Sequence, residues 1–237
     1  MILPAANASA APEKAPTLAE QAYQGLKRDI MSGELAPGQA LRLEFLKQKY
    51  QLSFSPLREA LNRLQSERLV DAFALKGFRV SPLSVKEMRD SIDTRIFVDC
   101  EALKRSIERA SDEWETRIVA ALHALDIATQ RRNGGQAGED QYDVIEQRHL
   151  ALHQALVSAC DSRWLLDFSA RLYVQTERYR RPMLANTAGY GAQRDVSNEH
   201  EQIVAATLKR DVAAATSLLA AHYEKTASLI ESSLTEA

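Results

Sequence analysis

Residues 53–64 read Ser-Phe-Ser-Pro-Leu-Arg-Glu-Ala-Leu-Asn-Arg-Leu, and this stretch decides the fold more than any other part of the chain. Ser55 as a polar cap and the proline after it are typical of a helix start, because proline lacks an N–H that the first turn leaves unpaired. Apolar side chains then recur at helical spacing, at Leu57, Ala60, Leu61 and Leu64. The other face carries Arg58, Asn62 and Arg63. The stretch predicts a short helix with one buried and one basic, polar face.

The surrounding sequence places this helix third in a small unit. Thr17 and Glu20 have the spacing of a capping box and predict a helix to about Ser32. A second helix is predicted over 43–50, and the third over about 55–69. Residues 70–82 alternate loosely around Lys76-Gly77, which predicts a hairpin. Three helices and a hairpin make a winged helix-turn-helix, whose third helix, with its Arg and Asn side chains, suits the DNA major groove.

The rest of the chain has no strand pattern. Helices are predicted at about 85–110, 112–132, 141–160, 162–181, 194–209 and 211–234. Breaks follow the glycines at 134–135 and the stretch 186–191. Amphipathic helices joined by short loops predict an antiparallel all-α bundle. The chain is therefore mainly α, with a disordered tail at 1–16, a winged helix-turn-helix at 17–82 and a helical domain at 85–234.

The charge distribution supports this division. The net charge is −2, but residues 17–84 carry ten Lys and Arg against seven Asp and Glu, whereas 85–237 carry nineteen against twenty-four. A basic first third suits contact with phosphate, although chance variation between two domains remains an alternative. No apolar run reaches the ~20 residues of a membrane span, and the N-terminus does not resemble a secretion signal. The only two cysteines, Cys100 and Cys160, are expected to be buried free thiols, as in the cytoplasm.

The histidines suggest a second site. His149 and His153 are four residues apart, so they share one helical face and can bind one ion. His200 and His222 lie on two later helices that can converge on the pair in a bundle. The alternative is a set of partly buried or surface histidines. His123 lies outside the pattern and is expected to be structural or solvated.

The stretch 30–80 resembles the DNA-binding domain of GntR-type bacterial transcription regulators. The resemblance rests on Gly33-Glu-Leu-Ala-Pro-Gly38, Leu52-Ser53, Ser55-Pro-Leu-Arg-Glu-Ala-Leu61, Arg63-Leu64, Arg68-Leu-Val70 and Lys76-Gly-Phe78. The helical remainder is similar to the ligand-sensing FCD domain of the FadR branch, and within it to the CsiR-like group. This implies a homodimer that binds double-stranded operator DNA and responds to a small organic acid.

The resemblance implies DNA contacts at Ser55, Arg58, Lys76 and Gly77, with Ser53 in the preceding turn. Two family arginines are replaced, by Glu44 and by Phe54. Arg42 is a candidate phosphate contact in their place. Arg63 is added to the candidate DNA contacts because it is basic and near these residues in the sequence. For Arg58 the alternative is a solvated or intradomain ion pair.

The resemblance also implies a divalent metal, held through an Asp and three His. His153, His200 and His222 stand at the histidine positions, and His149 replaces the Asp. An all-imidazole set favours zinc or nickel over magnesium or calcium and increases the need for an anionic ligand. Arg95 is a candidate anchor for the effector carboxylate; the alternative is a surface ion pair with Asp99. The arginines at 178, 180 and 181 are expected to form a solvated face; the alternative is that one of them reaches the pocket.

The leading interpretation is a metabolite-responsive transcription regulator that is not an enzyme. One alternative is a helical metalloenzyme with an accessory domain, for which Glu146 is the nearest candidate base. Another is a structural DNA-bridging protein that has lost its sensing.

Overall fold

The computed structural model describes residues 15–133, 141–185 and 194–235. The breaks predicted at 134–135 and 186–191 lie outside these ranges. Of the tail predicted at 1–16, only residues 15 and 16 lie within them.

The first unit contains three helices and a small sheet. The helices are α1 (Leu18–Ser32), α2 (Leu43–Tyr50) and α3 (Phe54–Ser66), and the strands are β1 (Ala40–Leu41), β2 (Val70–Phe73) and β3 (Gly77–Val80). The strands are antiparallel in the order β1-β3-β2. Gly77 has φ +79°, as the hairpin requires. This confirms the winged helix-turn-helix; β1 was not predicted, because two residues carry no alternating pattern.

Two helix starts differ in detail from the prediction. Helix α3 begins at Phe54 after an extended Ser53, so Ser55 lies inside the first turn and is not the cap. Proline is tolerated at its position because first-turn N–H groups have no intrahelical partner. Thr17 Oγ1 accepts from Glu20 N at 3.1 Å, as predicted. The Glu20 side chain, however, pairs with Gln24 and Arg63 and does not complete the capping box.

The second unit is an all-α bundle, which confirms the predicted fold class. Its helices in the described ranges are α4 (Val85–Glu108), α5 (Asp112–Asn133), α6 (Gln141–Val157), α7 (Arg163–Ala185), α8 (Val196–Leu208) and α9 (Val212–Thr235). One apolar core joins them, with Trp114, Leu103 and Ile118 fully buried. Helix α7 packs against α4 and also touches α1 of the first unit. Within the described ranges, no helix is long and apolar enough to cross a bilayer.

Candidate functional site

A groove separates the hairpin from the helices of the first unit. It has a volume of about 740 Å³, and Arg42, Arg58, Lys76 and Gly77 line it together. All four residues are exposed. Arg42 comes from the start of α2, Arg58 from the first turns of α3, and Lys76 from the tip of the hairpin. Four residues singled out from the sequence as candidate DNA contacts thus share one surface.

Arg58 is exposed, and no ion pair of this residue occurs among the described residues. The intradomain ion pair is thus absent from the described part of the chain, and the solvated alternative stays open. Ser53 and Ser55 are also exposed at the start of α3, beside the groove and not in its lining. The guanidinium of Arg58 remains available to a ligand from outside.

Arg63 lies on a different side of α3. Its guanidinium carbon is 3.6 Å from the ring centroid of Tyr23, and Nη1 is 2.6 Å from Glu20. Both partners belong to α1, so Arg63 joins two helices of the unit.

A lysine of α2 lies beside the position on α3 where this chain departs from the family pattern. Phe54 replaces the family arginine after the turn, and the Lys47 ammonium lies 5.0 Å from its ring centroid. A cation over an aromatic face is attracted by the ring quadrupole. Lys47 is exposed and was not singled out from the sequence.

Four histidines converge in the bundle. His149 and His153 come from α6, His200 from α8 and His222 from α9, and one nitrogen of each lies within 4.8 Å of the others. In a tetrahedral zinc site with bonds of about 2.1 Å the ligand nitrogens lie about 3.4 Å apart, so a shared ion requires the more distant of these nitrogens to move inward. His123 is exposed and lies outside the group.

Carboxylates orient three of these imidazoles. The Tyr223 hydroxyl donates to Asp99 at 2.7 Å, so it accepts from Nδ1 of His153 at 3.0 Å. Nδ1 of His222 lies 2.8 Å from Glu199, which can only accept, and 3.0 Å from Nη2 of Arg194, which can only donate. The tautomer of His153 follows from its hydrogen bonds, because an ionised carboxylate can only accept and the Tyr223 hydroxyl gives its proton to Asp99.

His149 is oriented in the same way. The Tyr173 hydroxyl donates to Glu146 and lies 2.7 Å from Nδ1 of His149, which therefore donates to it. In His149 and His153 these contacts assign the proton to Nδ1, which leaves the Nε2 lone pair for another partner. Histidines that bind metals have their other nitrogen oriented by a carboxylate in this way.

The free nitrogens fit a cation. Nε2 of His149 and Nε2 of His153 are 3.1 Å apart, and two lone pairs at this distance repel each other unless a positive charge lies between them. Nε2 of His200 is buried without a hydrogen-bond partner among the described residues. Burial lowers the pKa of His149, His153 and His200 well below the usual value, and that of His222 to about 4. The imidazoles are therefore neutral ligands at pH 7.

A small cavity adjoins the histidines. Its volume is about 20 Å³, room for one or two water molecules, and Arg95, His149, Thr176 and Thr226 are among its lining residues. Arg95 is 2 % exposed and donates to Asp99 at 3.1 Å and to Thr176 at 2.8 Å. Its Nη2 has no partner in the described part of the chain. The ion pair with Asp99 thus exists, but it is buried and not at the surface.

The arginines of α7 do not form a solvated face, so that prediction is wrong. Arg178 and Arg180 are 6 % and 5 % exposed, and Arg181 pairs with Asp143 at 2.6 Å. Arg180 pairs with Glu146 inside the bundle. The burial was not visible in the sequence because the partners are distant, as Glu146 is 34 residues away.

Glu146 is therefore engaged by Arg180 and Tyr173. This removes it from the role of a free general base. The remaining orienting groups, Tyr173, Tyr223 and Glu199, were not identified from the sequence. Tyr223 follows His222 and Glu199 precedes His200 in the sequence, and this adjacency is the one signal that pointed to them.

Comparison with known proteins identifies both parts of the chain. Residues 18–80 match the family "Bacterial regulatory proteins, gntR family", and residues 90–225 match the FCD domain. The solved structure of E. coli McbR/YncC superposes with a TM-score of 0.73 at 18 % identity, covering 93 % of this chain and all of that one, which supports the fold.

Two relatives are more similar in sequence. The "Uncharacterized HTH-type transcriptional regulator BphR" of Paraburkholderia xenovorans is 37 % identical over 90 % of this chain and 85 % of its own length. The "HTH-type transcriptional repressor GlaR" of E. coli is 36 % identical over 84 % of this chain and 90 % of its own. These are regulators and not enzymes, so the metalloenzyme alternative is wrong. The chain belongs to the GntR family of DNA-binding bacterial transcription regulators and carries an FCD domain.

Proposed function

We propose that this regulator binds operator DNA as a homodimer, and that a small organic acid bound together with a divalent metal in the bundle controls its affinity for the operator. Residues 17–82 form the DNA-binding domain, and residues 85–234 the sensing and dimerisation domain. The similarity to the repressor GlaR favours repression. Because operator DNA lies inside the bacterial cell, we expect the protein to act in the cytoplasm.

The arrangement of the histidine nitrogens carries this proposal. Three Nδ1 atoms contact Tyr223, Tyr173 and Glu199, which orients the imidazoles, and one nitrogen of each of the four histidines lies within 4.8 Å of the others. Buried histidines that served packing alone would not require four ring nitrogens to lie this close together. His149, His153, His200 and His222 are the proposed ligands.

The choice of metal follows from the ligand atoms. Four neutral imidazoles provide nitrogen ligands and no negative charge, which favours zinc or nickel over magnesium or calcium. The bound ion supplies an uncompensated positive charge that attracts an anionic effector. His149, where the family commonly has an aspartate, increases that charge by one unit.

Arg95 is the proposed anchor for the effector carboxylate. Arg95 lines the small cavity, its buried Nη2 has no hydrogen-bond partner among the described residues, and Nε and Nη1 are held by Asp99 and Thr176. A guanidinium held in this way is pre-oriented for a carboxylate.

The groove supports the DNA-binding part of the proposal. Arg58 at the start of α3 is placed to read a base edge, and Arg42 and Lys76 to contact phosphates, with Ser53, Ser55 and Gly77 beside them. Arg63 was a candidate, but its contacts with α1 favour a structural role. One winged helix reads only a few base pairs, so specific binding requires two copies on a pseudo-palindrome.

The test is elemental analysis of purified protein. We expect bound zinc or nickel in the wild type and its loss in the His153→Ala/His222→Ala variant, whereas His123→Ala retains it. Organic acids should then raise the melting temperature of metal-loaded protein more than that of chelator-treated protein. Unchanged metal content in the double variant would refute the metal site, and equal shifts would refute a role for the metal in acid binding.

A further inference from the structure

Helix α7 lies between the cavity and the DNA-binding unit. Tyr173, Thr176 and Arg180 recur at i, i+3 and i+7, so they share one helical face. Thr176 and Arg180 line the cavity, and Tyr173 contacts His149. The opposite face carries Val174, Gln175 and Arg178. Val174 packs against the core of the DNA-binding unit.

Arg178 forms hydrogen bonds with the backbone at both ends of the hairpin. Its guanidinium donates to the carbonyl oxygens of Arg68 at 3.3 Å and Pro82 at 3.4 Å, and also to that of Ser81. Arg68 precedes β2, and the other two follow β3, so one side chain closes the base of the hairpin. Gln175 donates to the carbonyl of Glu67, which caps α3. These contacts, which we call the hairpin clamp, are made by α7 alone.

The hairpin clamp is held by hydrogen bonds to neutral groups. In the described part of the chain Arg178 has no ion pair, and burial lowers the pKa of its guanidinium. A buried charge bound only by carbonyl oxygens is less stabilised than one paired with a carboxylate. Because leaving these buried groups unpaired is costly, the base of the hairpin is expected to follow Arg178 when α7 moves.

A ligand bound at the histidine site or in the adjoining cavity would displace α7. An ion bound by the four histidines draws together nitrogens that now lie up to 4.8 Å apart, and the cavity of about 20 Å³ is too small for an organic acid, so either ligand displaces the walls. Arg95 and His149 would contact the effector and the metal, and each is hydrogen-bonded to α7, through Thr176 and Tyr173 respectively. Because packed helices move as rigid bodies, displacement on one face of α7 carries the other face with it.

We propose that Arg178 is the positioning residue through which occupancy of the histidine site changes the placement of the hairpin relative to α3, with α7 as the moving element. The inference rests on the proposed function, because it assumes that the histidine site is filled. It assigns the transmitting contact to one side chain.

The test uses hydrogen exchange of the full-length protein, with zinc or after treatment with a chelator. In the wild type, zinc should change the exchange of amides in residues 67–82. Arg178→Met should make these amides exchange faster and remove their response to zinc, while the zinc content stays that of the wild type. Arg171→Met is the matched control, because Arg171 is exposed on the same helix. Arg178→Lys, which can still donate to carbonyls, should restore part of the response.

A second variant changes the contact between α7 and the cavity-lining Arg95. Thr176→Val removes the hydrogen bond from Arg95 without touching the hairpin, and it should weaken the zinc response of residues 67–82. A wild-type hairpin that ignores bound zinc, or an Arg178→Met hairpin that responds like the wild type, would overturn the inference alone. Wild-type protein that binds no zinc or nickel would overturn the proposed function, and the inference with it; elemental analysis distinguishes the two results.

Discussion

The hydroxyl group of Tyr223 lies 3.0 Å from Nδ1 of His153 and 2.7 Å from Oδ2 of Asp99. All three residues are buried, and they come from three different helices, α9, α6 and α4. The phenol thereby links a negative charge to an imidazole that points its other nitrogen at the histidine site. It orients His153 and increases its basicity as a ligand.

Replacing Tyr223 by phenylalanine removes this link and leaves all four histidines in place. We expect zinc affinity to fall about 10- to 100-fold, which is typical when an orienting partner of a metal ligand is lost. Competition with a fluorescent chelator measures it. Tyr50→Phe is the control, because it removes a tyrosine hydrogen bond to Asp29 in the DNA-binding unit. A Tyr223→Phe protein with the zinc affinity of the control would contradict the orienting role.

The two arginines of α3 provide a matched pair. Arg58→Ala should lower the affinity for duplexes that the wild type selects from a random pool by about 1–3 kcal/mol, with the melting temperature unchanged, because Arg58 is exposed and unpaired. Arg63→Ala should lower the melting temperature, since it loses the contacts with Tyr23 and Glu20, worth about 1 kcal/mol. Fluorescence anisotropy and thermal unfolding measure the two effects. The opposite pattern would show that the two sides of α3 have been assigned the wrong way round.

The carboxyl group of Glu177 predicts a dependence of stability on pH. Burial, together with the charge of Glu146, raises its pKa to about 7. The folded protein therefore binds this proton more tightly than the unfolded chain, and stability falls as the pH rises from about 4.5 to about 7, by up to about 3 kcal/mol. Glu177→Gln, which cannot ionise, should melt higher than the wild type at pH 8 and near it at pH 5. A difference in melting temperature that is the same at both pH values would contradict this pKa.

The sequence was sufficient for the fold, whereas it left open whether the histidines converge. Apolar spacing defined α3, and Lys76-Gly77 marked the hairpin, because both signals are local. The spacing of His149 and His153 alone predicted that they share one helical face. His200 and His222 lie about 50 and 70 residues further on, and the resemblance, not their spacing, implied that they join the pair.

The sequence was not sufficient for the groups that orient the histidines or for the buried arginines. Asp99 and Tyr223 are 124 residues apart, and no local pattern links them. Arg178 appears in the sequence as one of several charges, yet its partners are backbone carbonyls about 100 residues earlier. A carbonyl has no signature in the sequence, so this contact requires the fold.

The small volume beside the histidines has a consequence for sensitivity. An acid that enters must do work on the helices that enclose it, and this work is subtracted from the energy of its contacts with Arg95 and the metal. The concentration at which the regulator responds is then set by the stiffness of the packing around α7 as well as by the chemistry of the ligands. Substitutions where α7 contacts the base of the hairpin would therefore change the acid concentration at which the regulator responds. Because coupling between two binding sites is reciprocal, bound operator would shift the affinity for the acid by the same factor.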